Sequence, residues 1–274
     1  MDSAMKPASD TVMSVARRAA ARTAVAGLIA LTVLAGSARA AEADDELSKK
    51  ATDPTASLIS FSLNDWYSGQ HGSDDRLNQV VLRAVLPFSV AGTHHIFRVT
   101  QPFVTSSPGR TGAGDMTVFD LMVFGEPWGR WGVGLAGLLP TGTDGLSVEK
   151  WSVGPSVGFV NSSLKTQSFG LFVQSYVSVA GDAAAPDVGV VNLQPIFSHQ
   201  LGGGRSISLG NSQLVYDTER SRWASLQLGL NYGQVVGAWG HKWRPSIEGD
   251  YDFRRLAGNP AWTVRLGLTL LVPN

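Results

Sequence analysis

The chain has 274 residues, of which 43% are apolar and only 16% are charged, against roughly 25% charged residues in an ordinary soluble domain. Basic and acidic residues number 22 each, so the formal net charge is zero and no basic field is available to attract nucleic acid. Cysteine is absent, which excludes a disulfide framework, a thiol nucleophile and cysteine-ligated metal sites.

The first forty residues have the pattern of a secretory signal peptide. A basic flank at 17–22 precedes an apolar run at 24–36, and the Ala-Arg-Ala sequence at 38–40 is a small-x-small cleavage motif. The apolar run is shorter than the about 20 residues that a membrane-spanning helix needs. We therefore predict a signal peptide at 1–40 and an exported mature protein, with a retained N-terminal anchor as the alternative.

Apolar residues alternate with small or polar residues through much of the mature chain. The clearest examples are 151–159 (WSVGPSVGF), 223–232, 243–254 and 262–270. Successive side chains of a strand point to opposite faces, so each segment predicts a strand with one apolar face and one small or polar face. Turn-forming residues separate about twelve such segments. They lie near 57–66, 76–88, 94–104, 115–125, 131–140, 149–160, 167–179, 187–200, 204–216, 222–233, 242–254 and 261–272.

The length of these segments favours a barrel in a membrane over a soluble sandwich. Soluble strands average about 5 or 6 residues, whereas an outer-membrane barrel needs about 9 to 11 tilted residues per strand and an even number of strands. Aromatic residues lie near the predicted strand ends, where such barrels carry interfacial girdles; the alternative is the core of a soluble β-protein. These residues are Trp66, Tyr67, Trp128, Trp131, Trp151, Trp223, Trp239, Trp243 and Trp262.

We therefore predict an all-β fold, a transmembrane antiparallel up-and-down β-barrel of about 12 strands over 56–274. Residues 41–55 are polar and compatible with a helix, and they show no period of two. For them we predict a short periplasmic helix or a tether that could enter the lumen, with a disordered terminus as the alternative.

Five segments of the mature chain also carry a family resemblance: 46–61 (ELSKKATDPTASLISF), 112–115 (GAGD), 131–145 (WGVGLAGLLPTGTDG), 150–159 (KWSVGPSVGF) and 193–201 (LQPIFSHQL). Together they resemble a family of uncharacterised Gram-negative outer-membrane β-barrel proteins. Its members are labelled as transporters, as meta-pathway phenol-degradation-like proteins or as "neuromedin U". The resemblance implies a barrel that passes small, often hydrophobic compounds, and it supplies no catalytic residues.

The five histidines form no pattern that indicates catalysis or metal binding. His94 and His95 are adjacent on a predicted strand and so face opposite sides. His71 lies in a Gly/Ser/Asp loop, and none of the other four histidines (His94, His95, His199 and His241) is followed two residues later by the serine of outer-membrane phospholipase strands; acyl transfer needs a nucleophile next to a base. We predict no enzyme, no metal and no cofactor, while a triad assembled from distant strands stays open.

If the apolar faces meet lipid, the charged residues of the strands face the lumen. In a barrel of intermediate size such residues either cross-link strands in a narrow or plugged lumen or line a pore. We expect the structural role for most of them, and a solute-facing patch at Glu248, Asp250 and Asp252. The lumen-lining candidates are Arg83, Arg98, Asp120, Arg244, Glu248, Asp250, Asp252 and Arg265.

The predicted function is a passive channel of the cell outer membrane for small, hydrophobic or aromatic solutes. Its predicted partners are the lipid bilayer, the solute and the barrel-assembly machinery, with no nucleic acid. Two alternatives remain: a non-conducting structural or interaction barrel, and an outer-membrane lipid-modifying enzyme.

Overall fold

The computed structural model describes residues 38–273, so the predicted signal peptide lies almost entirely outside the described residues. One helix and fifteen strand segments follow one another in this part of the chain. They are α1 (Ala38–Ala51), β1 (Ile59–Gln70), β2 (Arg76–Val90), β3 (Thr93–Ser106), β4 (Gly112–Ala113), β5 (Met116–Glu126), β6 (Gly129–Leu139), β7 (Lys150–Asn161), β8 (Gln167–Gly181), β9 (Gly189–Gly202), β10 (Arg205–Ser208), β11 (Gln213–Asp217), β12 (Arg222–Gln234), β13 (Val236–Ala238), β14 (His241–Asp252) and β15 (Pro260–Val272). Within this range no helix has the length and hydropathy that a membrane crossing requires.

The segments form one closed antiparallel barrel of twelve strands, which confirms the predicted fold class. β1 pairs with β2 on one side and with β15 on the other, and this pairing closes the barrel. β10 and β11 both lie between β9 and β12 and together form one interrupted strand. β13 extends β12 beside β14, and β4 is a two-residue ribbon on β3.

The alternating sequence sets the two faces of the wall. In β7, Trp151, Val153 and Val157 are exposed, while Ser152 and Ser156 between them are buried towards the lumen. The same pattern exposes large apolar side chains around the outer wall. Such a surface is unfavourable in water and favourable in hydrocarbon, so the outer wall faces lipid.

Aromatic residues form a girdle at each end of the outer wall. We call the end where β1 begins and β15 ends the proximal end, and the opposite end the distal end. The aromatic side chains near the proximal end are Trp128, Trp131, Trp239 and Trp243, and those near the distal end are Tyr67, Trp151, Trp223 and Trp262. Trp66 is the exception: it faces the lumen, where the Arg265 guanidinium lies 4.6 Å from the ring centroid.

Depth in the membrane gives a test of this outer wall. Val157 lies in the middle of β7 and Val179 near the distal end of β8, and both side chains are exposed. We expect Val157→Arg to lower the free energy of unfolding by about 2–4 kcal/mol, because its charge meets the bilayer midplane, and Val179→Arg by only about 0–1 kcal/mol. Urea titration of the barrel in lipid vesicles measures both. Equal losses would contradict this placement of the wall.

Candidate functional site

The inner wall has an apolar side and a polar side. The apolar side is a cluster of buried residues on consecutive strands from β3 to β9, with Val85, Val123 and Tyr176 packed against it. The polar side lies on β14, β15, β1 and β2 and on the interrupted strand, and carries most of the inward charges. The members of the apolar cluster are Ile96, Phe119, Leu121, Ala136, Val160, Phe172 and Ile196.

Helix α1 is fixed to the turns at the proximal end by its polar side chains. The Asp44 carboxylate accepts from Lys242 Nζ at 2.5 Å, and Asp45 accepts from the backbone N–H of Gly204 at 2.6 Å. Ser48 is fully buried, and its hydroxyl donates to that of Ser206 on the inner wall at 2.9 Å. The helix therefore reaches into the barrel.

The residues after α1 continue inward. Asp53 is buried and forms an ion pair with the inward-facing Arg130 at 2.5 Å. Leu47 of α1 and Leu58 pack with Val235 and Leu271 of the barrel wall. Residues 42–58, which we call the plug, thus occlude the proximal mouth of the barrel. A hydrogen bond from Lys50 lowers the pKa of Glu46.

A second inward feature comes from the interruption between β10 and β11. Residues 209–212, which we call the inner bend, cross over β12 to reach the Glu248 carboxylate on β14. The Asn211 backbone N–H donates to Glu248 Oε1 at 2.8 Å, and the Asn211 amide group donates to both Glu248 oxygens. Arg83 donates to Asn211 Oδ1 at 3.2 Å. The inner bend therefore narrows the lumen and links opposite parts of its polar side.

Two of the three predicted acidic residues are neutralised inside the wall. Glu248 is 2% exposed, and its carboxylate accepts from Arg265 and Asn231 as well as from the inner bend. Asp250 is also buried and accepts from Arg265 Nη1 at 2.6 Å. These bonds cross-link β12, β14 and β15. They leave little carboxylate surface for a solute, contrary to the expected acidic patch.

The third acidic residue, Asp252, holds the distal end of the barrel together. Its side chain accepts from the backbone N–H groups of Leu226 at 3.0 Å and Arg254 at 2.8 Å. It is 4% exposed. Its contacts are those of a residue that fixes a strand end and the following turn.

Asp120 lies on the outer wall, so the expectation that it faces the lumen is wrong. Its neighbours Phe119 and Leu121 are buried in the apolar cluster, and alternation turns Asp120 outward. Its carboxylate lies 2.9 Å from His95 Nδ1, and the other ring nitrogen lies 2.9 Å from the Thr93 hydroxyl. That hydroxyl donates to the Val90 carbonyl at 2.7 Å, so hydrogen bonds join these polar groups on the outer wall, while Asp120 Oδ1 has no hydrogen-bond partner among the described residues.

Arg83, Arg98 and Arg244 face the lumen without an ion pair. No carboxylate within the described part of the chain lies within 4.0 Å of any of their nitrogens. Arg244 donates to Ser206 and Asn231, and Arg83 donates to Thr100 and Asn211.

Of the three, the Arg98 guanidinium has no hydrogen-bond acceptor among the described residues and lies against an aromatic ring instead. The guanidinium carbon lies 4.3 Å from the centroid of Phe119.

A cavity of about 170 Å³ lies in the lumen between the plug and the inner bend. Its charged lining consists of five cationic side chains and two carboxylates, with apolar side chains such as Phe119 and Ile196 beside them. Among the described residues no group of three or more His, Asp or Glu side chains could hold a metal ion. The charged lining residues are Lys50, Asp53, Arg83, Arg98, Arg244, Glu248 and Arg265.

Gly210 allows the inner bend to approach Glu248. Its φ is +58°, and a Cβ on this residue would collide with the Glu248 carboxylate. We expect Gly210→Ala to lower the free energy of unfolding by about 1–3 kcal/mol, because alanine is strained at this φ and displaces the bend. The matched control is Gly249→Ala on β14, where a Cβ meets no atom within 4 Å. Denaturant titration of both variants in detergent checks this, and an unaffected Gly210→Ala barrel would argue against the bend as described.

The comparisons with known proteins agree with the fold. No family model matches the sequence, and no curated protein does. An outer membrane channel from Pseudomonas putida F1 aligns with a TM-score of 0.59 and 15% identity, over 80% of this chain and 98% of that chain. The NanC porin aligns with a TM-score of 0.53 and 14% identity, over 77% of this chain and 98% of that chain. At these identities the likeness concerns the fold alone, and the predicted family labels remain predictions.

Proposed function

We propose that this protein is a passive channel of the outer membrane whose proximal mouth is restricted by its own plug. The observation that carries the proposal is the cavity inside a closed, lipid-facing barrel, bounded by the plug on one side and the inner bend on the other. A barrel with a purely structural role would be more stable if side chains filled this space. The fold shared with an outer membrane channel and a porin supports the same function.

A polar strip on the inner wall supports the passage of solutes. Ser156, Gln174 and Asn192 lie side by side on β7, β8 and β9 in the strand register. Each has a buried side-chain atom without a hydrogen-bond partner in the described part of the barrel: Ser156 Oγ, Gln174 Nε2 and Asn192 Oδ1. Buried polar groups are stable when water or a solute can bond to them. The apolar cluster on the same strands suits the apolar or aromatic part of a small solute.

Removal of the plug tests the channel function. We expect refolded protein that starts at residue 59 to show a several-fold larger single-channel conductance in a planar bilayer than the mature protein, because the plug occupies the proximal mouth. The heat-modifiable mobility of the barrel on a gel confirms that each preparation is folded. A folded variant without the plug that passes no more current than the intact protein would favour the non-conducting alternative.

A disulfide gives a matched control for this experiment. The Ser48 and Ser206 hydroxyl oxygens lie 2.9 Å apart, and the chain contains no native cysteine. In the Ser48→Cys/Ser206→Cys variant, oxidation should tie the plug to the wall and keep the conductance low, while the truncated barrel stays open under the same oxidant.

A further inference from the structure

We propose that the lumen cavity binds a small organic anion, one that joins a single carboxylate to an apolar or aromatic body. The inference rests on the proposed function, because it places this site on the path through the channel. It names the class of solute, which neither the fold nor the comparisons give.

Three arginines line the cavity: Arg83 and Arg244 on the polar side of the lumen, and Arg98 on the adjoining strand β3. The strand register places Arg244, Thr269, Ser62 and Arg83 in one row across β14, β15, β1 and β2. Thr269 and Ser62 are short, and their hydroxyls bond to each other at 2.9 Å. The Arg244 guanidinium lies over Gly233 on β12, and the Arg83 guanidinium bonds to Thr100 on β3, so the short side chains between them form an open floor of the cavity. This arrangement leaves space for an anionic group between them.

Arg98 completes the cationic side. Thr100 lies directly opposite Arg83 on the neighbouring strand, so Arg98, two residues away, is its diagonal neighbour on the same face. Its guanidinium lies against the Phe119 ring, which leaves its N–H groups without a described acceptor. A guanidinium presents N–H groups in a planar fork that matches the two oxygens of a carboxylate.

The two carboxylates of the lining do not cancel this charge. Glu248 is already bonded to Arg265, to Asn231 and to the inner bend, and Asp53 is paired with Arg130. The excess of positive charge thus remains at Arg83, Arg98 and Arg244. Charged groups removed from bulk water interact more strongly than on a surface, so an anion that enters is favoured and a cation is repelled.

Apolar side chains of the cavity lining suit an apolar body. Phe119 lies directly across from Arg98 in the register of β3 and β5, so cationic and aromatic surfaces adjoin. Ile196, Leu58 and Leu271 also line the cavity. The volume of about 170 Å³ limits the solute to a small molecule. A cationic side next to an aromatic side is the pattern that an aromatic or short aliphatic carboxylate complements.

Calorimetric titration of the detergent-solubilised full mature protein tests the site without any need for conduction. The probes are benzoate, its neutral analogue benzamide, and acetate, which lacks the apolar body. We expect benzoate to bind about tenfold or more tightly than either of the other two, because only benzoate uses both sides of the cavity. Binding of benzamide or of acetate as tightly as benzoate overturns the proposal.

A matched pair of variants assigns the binding to the cavity. Arg98→Gln removes a guanidinium without a described hydrogen-bond acceptor, so the barrel should fold, whereas Arg205→Gln removes an exposed arginine at the β9–β10 turn. We expect benzoate affinity to fall about tenfold in the first variant and to be unchanged in the second. If Arg98→Gln folds and binds benzoate like the unaltered protein, the site is not the one proposed. Benzoate binding by a barrel that never conducts would leave this inference standing and refute only the channel.

Discussion

A strand that crosses lipid places its polar side chains mainly on one face. In the closed barrel this constraint separates an apolar outer wall from a lumen that holds most of the polar groups. A buried polar group can find a partner only inside the wall or the lumen, because hydrocarbon offers none. In this protein the lumen therefore collects the ion pairs of Glu248 and Asp250 with Arg265. On the outer wall polar side chains pair with one another, as Asp120 does with His95 and Asp65 with Asn78.

Two additions to the regular barrel give its lumen a defined shape. The plug fills the proximal mouth, and the inner bend folds over from the interrupted strand to reach Glu248. Both use polar contacts to the inner wall, and neither needs a large loop. A barrel of twelve strands is wider than one that side chains alone fill, so such additions decide how much space is left. The cavity lies where they face each other.

The regular part of this structure follows from alternation in the sequence, and the irregular part does not. Strand number, strand spans and the outer face of β7 can be derived from a period of two, because one face of those strands is small or polar. β5 gives no such signal: the stretch around Asp120 is apolar on both faces, since its inner residues Phe119 and Leu121 pack in the apolar cluster. Alternation places Trp66 on the inner face with Ser62 and Asn64, but a tryptophan near a strand end is also typical of a girdle, and its partner Arg265 lies far away in sequence.

The alternating pattern also did not predict the inner bend, because it indicates one continuous strand at 204–216. The Gly-Asn-Ser sequence at 210–212 in the middle of that strand is nevertheless a signal for an interruption. Its effect on the site is electrostatic as well as steric. Asn211 and Arg265 both donate to the Glu248 carboxylate. Glu248 is therefore not available to neutralise one of the three arginines that lack an ion pair. Because the acid is held there, the positive charge of Arg83, Arg98 and Arg244 stays directed into the cavity. The same bonds that stabilise the polar side of the barrel thus determine the sign of the charge that a solute meets.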